Sequence, residues 1–255
     1  MYASWMKSTI LRTLSLVVAL VCLCVRADER PIEIHDRIKQ DSIQGNRVAL
    51  TLDACSGRYD EALVDFLVKN RIPATIFATK RWLDRNAGAV VTLQANRDLF
   101  DIENHGERHI PAIIGKDREV YGIAGAQDLP HLRREVQEGA RAVEKATGVA
   151  PLWYRGATGV YDPLAADEIR HLGFKIAGFS VNADDGASLS KASVVRRLRR
   201  VKAGDVIIAH MNKPDSETAE GLSAGLPELL DRGYVFVRLD QVELTELPSH
   251  GAAKP

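Results

Sequence analysis

Short apolar runs alternate with amphipathic helical stretches along most of this chain, and that alternation limits its fold more than any other feature. Residues 48–53, Val-Ala-Leu-Thr-Leu-Asp, read as a strand buried on both faces that stops at a carboxylate. A helix over 59–69 follows, with Ala62, Leu63, Phe66 and Leu67 on one stripe. Pro73 restarts the chain into a strand at 74–78, and 82–95 is a second amphipathic helix. A third strand is expected at 99–103, then a long helix over 129–147 that Gly148 closes. Further strands are expected at 152–155, 175–179, 206–210 and 234–239, with helices at 163–172, 190–202 and 218–232. Strands and helices alternating at this spacing predict a parallel sheet with right-handed crossovers, either doubly wound or closed into a barrel. At 255 residues and 45% hydrophobic content, one large α/β domain is expected.

The first 27 residues read as a secretory signal. Lys7 and Arg12 precede an apolar run over 14–25, and Val25-Arg26-Ala27 supplies small residues for cleavage after Ala27. That run is shorter than the ~20 residues needed to span a bilayer, so the expectation is an exported protein, periplasmic or secreted, without a stable membrane anchor. An uncleaved anchor is the competing reading. Neither Cys22 nor Cys24 follows the small residue that a lipoprotein signal needs. The mature chain divides into a polar lead-in at 28–46, a domain at 47–241 and a C-terminal tail at 242–255. Cys55 is its only cysteine, so no intramolecular disulfide can form, and an exported lone thiol is expected inside the fold or in a narrow cleft.

Lys+Arg and Asp+Glu balance at 34 each, which speaks against nucleic acid or an anionic membrane as partner and suits a neutral substrate. The basic run Arg196, Arg197, Arg199, Arg200 and Lys202 alternates with Val194, Val195, Leu198 and Val201 as the solvated face of a helix does. The stretch over 110–128, with Gly115, Gly122 and Gly125, lacks periodicity, and loops of that length are often functional. A monomer is expected.

In a parallel α/β fold the loops after the strand ends converge on one face, which selects Asp53, Asn104, His105, Arg155 and His210 as chemistry-bearing candidates. His105-Gly-Glu-Arg-His109 is a His-x-x-x-His pair that can offer two imidazoles to one divalent cation from a single turn of chain.

Taken in order, Thr51-Leu-Asp53, His105-x-x-x-His109, Arg155-Gly-Ala-Thr-Gly159 and Ile207-Ile-Ala-His210 resemble the motifs of the polysaccharide deacetylase family, the NodB-homology domain of carbohydrate esterase family 4. The resemblance runs from about residue 48 to 239 and implies a distorted (β/α) barrel in a single domain. It implies Asp53 as catalytic base and His105 and His109 as ligands of a divalent metal, with zinc expected. Arg155 would brace the base, the backbone of Thr158 would face the oxyanion, Asp185 would tune the catalytic histidine, and His210 would be the general acid. Ala54 stands where the family has a second, metal-binding Asp, and Gly186 replaces a Trp. The third ligand is therefore open: Asp53 itself, or Glu103, Glu107 or the Cys55 thiolate, or no metal at all.

The implied activity is removal of acetyl groups, N-acetyl ahead of O-acetyl, from an exported or envelope polysaccharide or oligosaccharide. The alternatives are a glycan-binding module that has lost its metal, suggested by Ala54 and Gly186, and an amidase acting on small amides or imides.

Overall fold

The computed structural model describes residues 30–39 and 45–248, so the expected signal sequence and its cleavage site at Ala27 lie outside the described residues. The main sheet is built from β1 (Arg47–Ala54), β2 (Ala74–Ala78), β3 (Phe100–Asn104), β4 (Trp153–Tyr154), β5 (Lys175–Ile176), β6 (Val181–Asn182), β7 (Val206–His210) and β8 (Val235–Val237). Their order is β5-β4-β3-β2-β1-β7-β6, with β8 beside the first half of β1, and every pairing is parallel. The helices are α1 (Glu61–Lys69), α2 (Lys80–Arg85), α3 (Ala87–Ala95), α4 (Leu129–Thr147), α5 (Pro163–His171), α6 (Lys191–Leu198) and α7 (Thr218–Asp231). This is a distorted (β/α) barrel in one domain, left open between β5 and β6.

The pleat of β1 explains the two-layered core. Val48, Leu50, Leu52 and Ala54 pack outward with Leu63 and Leu67 of α1, Val194 of α6 and Leu222 of α7. Ala49 faces the other way, into an inner core with Phe77, Trp153, Val206 and Ile208. Side chains along a strand alternate between faces, so Thr51 and Asp53 share the inner side with Ala49. Each fully buried Leu contributes roughly 1.5–3 kcal/mol relative to exposure, and β1 buries apolar side chains on both sides.

Several elements differ from the sequence expectation. The helix expected over 82–95 is broken at Asn86, whose side chain donates to Trp82 O and Gly57 O and accepts from Tyr59 N, a local alternative to helical bonding. The strands expected at 152–155 and 175–179 are each two residues long, and β6 had no sequence signal. The lead-in and tail are partly structured: Asp36–Ile38 pairs antiparallel with Leu244–Glu246, and Ile32–Glu33 pairs with Val160 and Tyr161. The structured unit therefore reaches beyond 47–241 at both ends, because these short edges complete hydrogen bonding that a free tail would leave to water.

The 110–128 loop is also organised. Glu119–Val120 and Ile123–Ala124 form a small hairpin whose turn, Tyr121-Gly122, lies in the left-handed region at φ 52° and 72°. Such angles suit a two-residue hairpin turn of the primed type.

Candidate active site

Asp53 and His210 stand on adjacent strands at the same register, β1 against β7. Neighbours at one register in a parallel sheet point to the same face, so both side chains turn to the inner side at the strand ends. Arg155 holds the carboxylate. It is fully buried, with Nη1 donating to Asp53 Oδ1 (2.9 Å) and Thr51 Oγ1 (2.8 Å), Nε to Ala177 O (3.1 Å) and Nη2 to Gly178 O (3.0 Å). Its guanidinium lies 4.2 Å over the Phe77 ring. Burial pushes Asp53 up, but Arg155, His105 and His210 outweigh it and hold the carboxyl below the usual range, so the group is an anion ready to accept a proton.

His210 is tied to Asp184, not to Asp185 as expected. Asp184 Oδ1 lies 3.0 Å from His210 Nδ1, while Oδ2 accepts from the His210 backbone N–H (2.8 Å) and the Thr218 hydroxyl (3.1 Å). Asp184 is completely buried. Asp185 enters the left-handed region at φ 53°, its N–H bonds to Asn182 Oδ1 (2.8 Å), and it lies exposed on the cleft rim. The turn separates two consecutive aspartates into a buried partner and a surface group. Burial works against a charged His210 ring, yet Asp184 and the Cys55 thiol hold the imidazolium well above its ordinary pKa.

The His105 and His109 rings meet edge to face at 4.9 Å, and Cys55 completes the group. One donor atom from each of Cys55, His105 and His109 lies within 4.8 Å of the others. Cys55 Sγ is 3.4 Å from His105 Nε2. Asp53, the first expectation for a third ligand, is committed through Oδ1 to Arg155, and its Oδ2 stands 3.6 Å from His105 Nε2. Glu103 instead accepts from Trp153 N (2.8 Å), and Glu107 pairs with Arg134 (3.2 Å). The pleat accounts for this outcome. Ala54 points outward into the helix layer, whereas Cys55, two residues beyond Asp53, returns to the inner side.

The donor set fits a divalent cation. His105 Nδ1 lies 2.6 Å from Arg155 O, a contact that places the ring proton on Nδ1 and leaves the Nε2 lone pair toward Cys55. Burial opposes ionisation of the Cys55 thiol, but His105, His109 and His210 outweigh it and bring its pKa well below the ordinary value. Two imidazoles and a thiolate are the ligand types that zinc prefers.

Sequence reasoning missed the residue that holds the histidine loop in place. Glu135, on α4 and 1% exposed, accepts from Arg108 N (2.9 and 3.0 Å) and Ile110 N (3.0 Å), on either side of His109. His109 itself lies at φ 66°, an unusual angle for a side-chain-bearing residue, and Glu135 clamps the backbone around it. The helix comes this close because Gly139 has no side chain: a Cβ there would lie 2.3 Å from Asn104 Oδ1 and 2.5 Å from Gly106 C. The available signal was a carboxylate within an apolar stripe of Leu132, Val136, Gly139 and Val143.

These groups open onto a cleft of about 600 Å³ lined in part by Tyr121, Thr158, Phe179, Ile208 and Asn212. Thr158 sits at φ 69°, and both its hydroxyl and Asn212 Oδ1 are buried without a hydrogen-bond partner among the described residues, so the cleft presents polar atoms for a ligand to satisfy.

Residues 41–177, more than half of the sequence, match the polysaccharide deacetylase family. The chain belongs to that family. Polysaccharide deacetylases, for which the family is named, are hydrolases acting on carbon–nitrogen bonds. A peptidoglycan-N-acetylglucosamine deacetylase of Bacillus cereus is 25% identical over 200 residues, covering 76% of this chain and 87% of the relative. One from Listeria monocytogenes is 26% identical over 200 residues, covering 77% of this chain but only 38% of the longer relative. A carbohydrate esterase family 4 pseudoenzyme from Bacillus anthracis shares the fold, with a TM-score of 0.64 at 20% identity over 78% of this chain and 66% of that one. His210 and Asp184 lie beyond the matched stretch and rest on their geometry.

Proposed function

We propose that this chain removes N-acetyl groups from a cell-wall polysaccharide of the peptidoglycan class, with Asp53 as base and His210 as acid. The observation that carries the reading is the pairing of Asp53 and His210 at one register beside the Cys55, His105 and His109 donors. A divalent cation, zinc by the nature of these donors, supplies Lewis acidity to the attacking water and the acetyl carbonyl when bound.

The protein's own groups divide the remaining work. Asp53, kept anionic by Arg155, accepts a proton from the water as its oxygen forms the new bond to carbon. The backbone around Thr158 faces the oxygen that gains charge. When the carbon–nitrogen bond breaks, the leaving nitrogen needs a proton, because an amide anion is a very poor leaving group. His210, charged through Asp184, donates it, giving acetate and a free amine on the sugar. The unpartnered Thr158 hydroxyl and Asn212 carbonyl suit sugar hydroxyls. The apolar run at 14–25 and Ala27 support export to the compartment where such a glycan lies.

The competing reading, a glycan-binding module without catalysis, draws on Ala54 and on Gly186. The inward Cys55 supplies the donor that position 54 lacks, and so favours the enzyme. The test is acetate release from N-acetylated peptidoglycan strands, with and without added Zn²⁺, for the native protein and Asp53→Asn. Release should fall by about 10²–10⁴-fold in the variant. Equal release from both proteins overturns the proposal.

A further inference from the structure

A second cleft of about 560 Å³ adjoins the first and shares His109 and Ile123 with it. Its walls carry Arg81, Arg108, Lys116 and Arg118 against one carboxylate, Asp117. Arg118 is committed to Ile114 O (3.0 Å) and Asp162 (3.2 Å). The side chains of Arg81, Arg108 and Lys116 are exposed and make no ion pair or hydrogen bond among the described residues. The neighbouring cations on α4 behave differently: Arg133 pairs with Glu168, Arg134 with Glu107 and Arg141 with Glu138. Three cations of α4 outside the groove are thus neutralised, while three of the four that line it have no carboxylate partner among the described residues.

Two of the free cations stand on a fixed backbone. Arg108 N is bound by the Glu135 carboxylate, and Arg81 N donates to Glu107 O in the first turn of α2. The adjoining catalytic cleft is lined by Glu33 and Asp185 together with Lys213, so the excess of positive side chains belongs to the groove. A balanced net charge conceals this excess.

We propose that the basic groove binds an anionic group, carboxylate or phosphate ester, carried by the glycan on a sugar next to the one that loses its acetyl group. The inference rests on the deacetylase reading for the position of the scissile sugar. The groove directs the chain across the active site in one orientation, and it selects charged strands over neutral ones.

Three probes test it: neutral N-acetylchitotetraose, carboxylate-bearing peptidoglycan glycan strands, and phosphorylated N-acetylchitotetraose. Binding is measured calorimetrically to Asp53→Asn protein at two ionic strengths, and kcat and KM for acetate release to the otherwise native protein. Each measurement is repeated with Arg81→Gln/Arg108→Gln/Lys116→Gln. The expected result is roughly tenfold tighter binding of an anionic strand, lost in the triple variant and weakened by salt, while kcat on the neutral oligosaccharide is unchanged. Whichever anionic strand shows the preference identifies the source. Equal binding of all three probes, or a preference that the triple variant keeps, overturns the proposal. Should the triple variant fail to fold, Arg108→Gln alone, with the salt dependence of the native protein, decides by the same criteria. Absence of acetate release from every probe sinks the deacetylase reading alone, because the binding comparison still decides the groove.

Discussion

The catalytic cleft and the basic groove share His109, yet they are built in opposite ways. In the first, Asp53, Arg155, His105 and Asp184 are buried, and each makes a specific polar contact fixed by the sheet. In the second, Arg81, Arg108 and Lys116 are exposed, and what is held is the backbone of Arg81 and Arg108. The contrast separates reaction from selection. Strand ends hold reacting groups at fixed spacing, while exposed cations can change identity without disturbing the core.

The largest effect should come from the consecutive aspartates. Asp184→Asn is expected to lower kcat on the order of 100-fold or more by uncharging His210, whereas Asp185→Asn should change it by less than about twofold. Similar losses in both would return the tuning role to Asp185. Next is the thiol. Cys55→Ser should weaken zinc binding by about 100-fold or more, since even an outer-shell partner is commonly worth about 10–100-fold. Equilibrium dialysis with elemental analysis reads the affinity, and loss of the thiolate-to-cobalt absorption band in Co²⁺-loaded protein reports the bond itself.

Gly139→Ala probes the close approach of α4 to the histidine loop and should cost about 1–3 kcal/mol by urea unfolding. Gly88, also helical but with nothing within 4 Å of an added Cβ, is its control: Gly88→Ala should stabilise by about 0.5–1 kcal/mol. The last effect is a pH dependence and concerns Glu103. Burial, with Asp101 beside it, pushes its carboxyl up to about 8 from an ordinary 4.5. The folded state therefore holds a proton that the unfolded state releases, a stabilising contribution fully present below about pH 4.5 and lost as pH rises through about 8. Native protein should lose Tm across that window while Glu103→Gln stays flatter, and a constant difference between their melting curves would remove Glu103 from the account.

Much of the buried region was legible in the sequence, and the physical reason is plain. Residues 48–53 and 206–210 are continuous apolar runs ending in chemistry-bearing residues, the pattern of parallel strands covered on both faces. β4, β5 and β6 are two residues each and owe their existence to partners far along the chain, which no local pattern encodes. Asp184 and Asp185 could not be separated because the left-handed turn that divides them depends on Asn182 and the end of β7. Cys55 is legible from the pleat alone, because two residues on from Asp53 returns to the inner face, whereas position 54 points outward. Glu135 was hidden by a helix rich in other charged residues.

The shared register of Asp53 and His210 acts as a ruler. Neighbouring strands lie ~4.8 Å apart, so the distance between the proposed proton acceptor and donor is measured out by one rung of the ladder rather than by any contact between the two side chains. A single-residue insertion or deletion within β1 or β7 would turn one of them through the sheet toward the helices while leaving its neighbour in place. The two strands are thus the part of the sequence least free to change length, and variation among descendants of this chain is confined to substitutions there and to insertions in the loops beyond the sheet.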